Sequence, residues 1–182
     1  MVSGDENRLF TLLQSGFLGS ISIDNPAFVE IGSIANCNCF CLLPNESEFV
    51  VAQQSVISLW KKSSTDCLRY FRGHTMPVLS LGCSGDGSLL VSGSADESVR
   101  VWDMLRGFCT HCFKDGDGIV RSVEFFPDKM MVVSIHANNT IAVHDLHLKQ
   151  TVKKFTCHTA SPSKVAVHAP TNSMISSGRD KV

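Results

Sequence analysis

An all-β fold built from repeated four-stranded units is predicted by three observations. Trp60, Trp102 and His144 recur at a spacing of 42 residues, and short β-rich runs recur with them. Turn-forming clusters separate the runs: Gly85-Asp86-Gly87, Pro127-Asp128 and Pro170-Thr171-Asn172. A period near 42 residues with four short strands per unit is the pattern of propeller blades rather than of a sandwich.

The clearest unit opens at Gly73-His74 and closes at Trp102-Asp103. Between them lie Val78-Leu79-Ser80-Leu81, then Leu89-Leu90-Val91-Ser92-Gly93-Ser94, then Asp96 and Val99-Arg100-Val101. The next unit matches it at the same offset through Val120-Arg121-Ser122-Val123, Ser134-Ile135-His136-Ala137-Asn138 and Ile141 to Asp145. In that unit Gly116 stands where His74 stood, Asn138 replaces Asp96 and His144 replaces the tryptophan. A further copy starts at Cys157-His158 and runs through Met174 to Gly178 and Asp180. An earlier one is recognisable in Leu42 to Asn45 and Phe49 to Ala52, ending at Trp60. The blades are therefore expected at 37–72, 73–114, 115–156 and 157–182.

Residues 1–36 are the least legible. Leu9 to Leu13 reads as a strand or a short helix, and Phe28-Val29-Glu30-Ile31 alternates like a strand. The expectation is a degenerate or incomplete first blade.

Trp102 comes six residues after Asp96, and six beyond Asp180 passes Val182. The last blade is thus expected to lack the end of its third strand and all of its fourth. The chain corresponds to about 4.3 units, whereas a seven-bladed ring needs roughly 290 residues. The expectation is a propeller fragment of about four blades in an incomplete ring, with unpaired edges that favour association or poor solubility.

Composition narrows the function classes. Hydrophobic residues make up 43% of the 182 and charged ones 18%, ordinary for a globular chain with a sizeable core. The formal charge of −1 gives no global field for nucleic acid or an anionic membrane. No apolar run of membrane-spanning length exists. The N-terminus is acidic at Asp5-Glu6, where a secretory leader would be basic. The eight cysteines lie mostly in apolar runs and are expected to be reduced packing residues. The sequons at Asn45 and Asn138 are then chance matches.

His74, Ser92 and Asp96 have the residue types of a hydrolase triad. Val91-Ser92-Gly93 lacks the nucleophile-elbow pattern, however, and no oxyanion-stabilising nest is evident, so no catalytic residue is assigned. Cys109-Thr110-His111-Cys112 has zinc-ligand spacing but no second half. On a strand Cys109 and Cys112 face opposite ways. Cys37, Cys39 and Cys41 are expected to share one face, but a single strand cannot wrap a tetrahedral ion. Gly85-Asp86-Gly87 and Gly116-Asp117-Gly118 match no phosphate-binding loop. Neither a metal nor a cofactor is expected. The basic doublets Lys61-Lys62 and Lys153-Lys154, each after a third strand, read as solvated surface.

Gly73-His74…Trp102-Asp103 is similar to the signature of the WD40 family, and the resemblance extends over roughly residues 37–182. It implies that His74, Ser92, Asp96 and Trp102 form a buried structural tetrad running from the indole N–H through serine and histidine to aspartate. It also implies a non-catalytic scaffold that binds proteins through blade edges and loops. The solvent-facing Glu97 and Arg100 beside the tetrad are the candidate partner contacts. Within the family, Gly107, Thr110 to Phe113, Gly118 to Val120, Val123 to Asp128 and Met174 to Val182 resemble a tandem-propeller subunit of the U3 small nucleolar ribonucleoprotein. That likeness implies a nucleolar scaffold of the small-subunit processome acting in pre-18S ribosomal RNA processing. Its partners would be sister WD-repeat subunits, with RNA association indirect and no membrane or small-molecule substrate. The alternative is another WD40 adaptor, such as a substrate receptor of a cullin-type ubiquitin ligase. Those receptors carry W-D-x-R, whereas Trp102 to Arg106 places the arginine one position late.

Overall fold

The computed structural model describes residues 8–12, 17–22, 28–33, 36–45, 47–62, 67–127, 129–156, 158–160, 162–168, 171 and 173–180. Every element among them is a β-strand. Strands β1 (Arg8–Leu12), β2 (Phe17–Ser22) and β3 (Phe28–Ser33) form a three-stranded sheet. The ambiguous Leu9 segment is therefore a strand over its described part, and so is the segment at Phe28.

Three four-stranded sheets follow. The first contains β4 (Cys37–Leu42), β5 (Glu48–Gln53), β6 (Val56–Lys61) and β7 (Cys67–Phe71). The second contains β8 (Val78–Cys83), β9 (Leu89–Ser94), β10 (Val99–Asp103) and β11 (Cys109–Phe113). The third contains β12 (Val120–Phe125), β13 (Met131–His136), β14 (Thr140–Asp145) and β15 (Gln150–Thr156). A two-stranded sheet of β16 (Pro162–His168) and β17 (Ser173–Gly178) comes last. All pairing is antiparallel between consecutive strands, so each sheet is a meander, and the sheets do not close into a ring.

The repeat extends to the irregularities. Pairing of the third strand with the fourth shifts between Leu59 and Trp60, between Val101 and Trp102, and between Val143 and His144. Pairing of the first strand with the second shifts between Val78 and Ser80, Val120 and Ser122, and Pro162 and Lys164. A bulge re-aims the side chains beside it, and these recur one repeat apart. Trp102 lies opposite Leu90 and His144 opposite Val132, twelve residues back in both cases. Trp60 lies opposite Phe49, only eleven back, because a tight turn at Gln54-Ser55 shortens that hairpin.

The second and third four-stranded sheets are apolar on both faces, because successive side chains point opposite ways and a neighbouring sheet packs against each side. Leu90 and Trp102 join Val50, Ile57, Leu59 and Phe71 of the preceding blade. Val91 and Val101, one residue along, join Val120, Val123 and Val132 of the following blade. Val133, Ile135, Ile141 and Val143 continue the stack onto Val165. Gly93 sets the spacing at one junction. A Cβ there would lie 2.5 Å from the Val120 Cγ1 atom and 2.9 Å from Val123 Cγ1.

Two expectations are corrected. The shift between Cys37 and Cys39 turns Cys37 toward Phe40 and Trp60, whereas Cys39 and Cys41 pack with Leu81 and Leu90. The three cysteines therefore do not share a face. Lys153 and Lys154 lie inside the fourth strand β15, and Lys154 is ion-paired with Asp117 at 2.6 Å and Asp115 at 3.5 Å rather than simply solvated.

Candidate functional site

The second four-stranded blade brings four of the sequence-selected residues into one hydrogen-bonded chain. Trp102, on β10, donates its indole Nε1–H to Ser92 Oγ on β9 at 2.8 Å. Ser92 Oγ lies 2.7 Å from His74 Nε2, and His74 Nδ1 lies 2.8 Å from Asp96 Oδ2. Trp102 is 1% exposed, Ser92 0%, His74 6% and Asp96 9%. Burial disfavours a charge on His74 more than the Asp96 carboxylate favours one, so its pKa falls below the usual imidazole value. A neutral ring with its proton on Nδ1 then donates to Asp96 and accepts the Ser92 hydroxyl proton at Nε2.

Asp96 is held by more than the histidine. It accepts from Thr75 N–H at 3.1 Å, from Ser98 N–H at 3.0 Å and from Ser98 Oγ–H at 2.5 Å. Burial opposes its charge, but these donors win and keep the carboxyl well below the usual carboxylate range. The outcome is mechanical. The segment before β8 is tied to the β9–β10 turn through Asp96 and to β9 through Ser92, and the indole ties β10 to that same serine. Ser98 was missed in the sequence. Its signal was the Asp-x-Ser spacing, which suits an aspartate accepting from the backbone two residues on.

The same three elements read as chemistry do not present a nucleophile. Ser92 Oγ has no exposed surface and is already enclosed between an indole N–H and an imidazole. His111, in the cysteine-rich outer strand, places Nε2 2.9 Å from the Leu146 carbonyl, linking two blades.

The third four-stranded blade solves the same problem with other residues. His144 Nε2 lies 2.7 Å from Ser134 Oγ, and His136 Nε2 lies 2.8 Å from the same hydroxyl. His136 Nδ1 reaches the Gly118 carbonyl at 3.2 Å. His144 Nδ1 reaches Thr151 Oγ1 at 2.8 Å, and Thr151 donates to Asp115. Asn138 keeps one part of the lost aspartate's work, accepting from Thr140 N–H at 3.0 Å. Burial drives the His144 pKa down to about 4 against the pull of Asp115, and lowers that of His136. In the last hairpin His158 lies 2.8 Å from Ser176 Oγ and 3.0 Å from Asp180 Oδ2, repeating the histidine–serine–aspartate part of the chain.

Of the two proposed partner contacts, Glu97 is exposed at a positive φ of 69° in the β9–β10 turn. Arg100 departs from the solvent-facing expectation. It is half-buried, and its Nε is enclosed without a hydrogen-bond partner. The absence of a side chain at Gly73 makes the room, because a Cβ there would lie 2.9 Å from Arg100 Nη1 and 3.1 Å from the Trp102 ring. At the opposite end of the strands, sequence reading passed over an apolar groove. Leu43, Leu59 and Met104 are buried in it, while Leu68 (47% exposed) and Leu105 (81% exposed) stand at its mouth.

Residues 65–103 match the family model for the WD domain, G-beta repeat. The chain is 31% identical over 147 residues to transducin beta-like protein 3 of Bos taurus, covering 79% of this chain and 18% of that protein. It is 31% identical over 104 residues to eukaryotic translation initiation factor 3 subunit I of Emericella nidulans, covering 54% of this chain and 31% of that one. It is 33% identical over 110 residues to cell division control protein 4 of Saccharomyces cerevisiae, covering 55% and 13%. The chain therefore spans under a fifth of the transducin beta-like relative.

Proposed function

Because this is a WD40-repeat chain similar to transducin beta-like protein 3, we propose that it is a non-catalytic scaffold of the small-subunit processome, acting in the nucleolus on pre-18S ribosomal RNA maturation. The observation that carries the reading is the likeness to that relative over 79% of this chain, against 54% and 55% for the initiation-factor and cell-division relatives. The geometry supports binding over chemistry. The polar chains are buried and mutually satisfied, and rigid stacked blades leave turns at both ends to meet partners. The partners are sister WD-repeat subunits, and U3 small nucleolar RNA associates through them.

Affinity purification of the full-length protein from nuclear extract tests this. The proposal requires co-recovery of U3 small nucleolar RNA with other WD-repeat subunits, and accumulation of early ribosomal RNA precursors on depletion. Recovery of a cullin adaptor, with no small nucleolar RNA and normal precursors, would replace it with the ubiquitin-ligase reading. A hydrolase activity lost in folded Ser92→Ala would overturn both.

A further inference from the structure

Most thiols among the described residues turn to carbonyls. Cys37, Cys67 and Cys109 donate to the oxygen two residues along their own strands, at 3.3, 3.3 and 3.1 Å, and Cys39 faces the Val78 carbonyl at 3.8 Å. Cys41 Sγ lies 3.4 Å from the Leu42 carbonyl and also 3.5 Å from a second thiol, Cys83 Sγ, across the junction between the first two four-stranded blades. Cys83 Sγ in turn lies 3.2 Å from the Leu42 carbonyl, so β4 and β8 approach closely there. The two cysteines are one repeat apart, and the next positions in the series are Phe125 and Val167. At these repeat positions the series therefore places a thiol pair at this junction and apolar side chains after it.

We propose that Cys41 and Cys83 form a reversible disulfide when the protein meets a hydroperoxide, covalently joining two adjacent blades. A disulfide requires the sulfurs to close to about 2.05 Å, a movement within the reach of side-chain rotation between strands already this near. Cys83 is partly exposed at the end of β8, whereas Cys41 is 2% exposed, so oxidant reaches Cys83 first. Cys41 lies within reach to donate its S–H to Cys83, which favours the Cys83 thiolate, although Glu124 opposes charge on both sulfurs. The Cys83 thiolate attacks one peroxide oxygen, giving a sulfenic acid and hydroxide. Cys41 then attacks the sulfenic sulfur, and the oxygen leaves as water. Two thiols and one hydrogen peroxide become one disulfide and two waters.

Peptide mapping decides the matter. The reduced chain is treated with hydrogen peroxide, quenched, alkylated and digested with trypsin. Residues 73–100 form a tryptic peptide with Cys83 as its one cysteine, and residues 9–61 form the peptide holding Cys41. The expected result is these two peptides joined, two hydrogens lighter than their sum, with fragment ions placing the link at Cys41. The link disappears with dithiothreitol and in Cys41→Ser or Cys83→Ser, persists in Cys112→Ser, and raises the urea midpoint of the oxidised chain. If a serine variant does not fold, the fragment ions of the unaltered chain decide. Cys83 that stays fully alkylatable, or that links to Cys37, Cys39 or a second molecule, would overturn the proposal.

Discussion

His144 stands to Ser134 as Trp102 stands to Ser92: a ring nitrogen on the third strand meets a buried serine hydroxyl on the second, at 2.7 Å in one blade and 2.8 Å in the other. The replacement makes one blade titratable where its neighbour is anchored by an indole. The His144 pKa is near 4 in the folded chain against 6.5 for the free side chain, so between those values the unfolded chain binds more protons. Stability is therefore retained above pH 6.5 and falls as pH drops toward 4, by about 3 kcal/mol from this group. His136 and His74 are shifted the same way and add to the slope, while Asp115, Asp117 and Lys154 face the same cluster. Urea melts across this range should show the loss. His144→Asn should be weaker at neutral pH but flatter in acid. An equal slope in the variant would assign the acid response elsewhere.

The Trp102–Ser92–His74–Asp96 chain should be cooperative. Ser92→Ala strands an indole N–H and an imidazole nitrogen, and His74→Ala leaves Asp96 short of one donor. Each should cost about 1–3 kcal/mol, and the double variant less than the sum. Asp96→Asn should cost less than Asp96→Ala, because Asn138 already shows an amide accepting from the backbone two residues on. Denaturant titration of the five variants measures this. Additive losses would mean that the four residues do not act as a unit.

Gly93→Val should be among the most damaging single changes at a blade junction. Even its Cβ would lie 2.5 Å from one valine methyl and 2.9 Å from another, so two sheets must separate. A loss of about 1–3 kcal/mol is expected from overpacking. Gly85→Ala provides the contrast, since nothing lies within 4 Å of its Cβ. Thermal melts of the pair should differ sharply.

The blade repeat was legible because a sheet stacked between similar neighbours must bury both faces, which forces apolar residues into the same places each time. The positions of Trp60, Trp102 and His144 followed directly. What could not be read was local geometry that breaks alternation. The bulge after Cys37 moved that residue to the other face. The polar network of His144 was hidden too, since its members His136, Thr151 and Asp115 are scattered over three segments and none occupies a signature position. Arg100 was expected to face solvent beside the tetrad, and the space above Gly73 lets it fold inward.

The two ends of the strands make different predictions for binding. Glu97 lies in the β9–β10 turn, and Leu105 follows β10, at the other end. Leu105 is 81% exposed beside Leu68 and over the buried Met104, an apolar surface that costs little to cover and gains from burial. Leu105→Asp should therefore reduce retention of WD-repeat partners about tenfold without changing the melting temperature, because the side chain contributes little to the core. Glu97→Arg should act through charge instead, altering association rate and its salt dependence more than final occupancy. Pull-downs at two ionic strengths with the full-length protein distinguish them. Partners retained undiminished by Leu105→Asp and lost with Glu97→Arg would place the docking surface at the tetrad end and remove the groove from the interface.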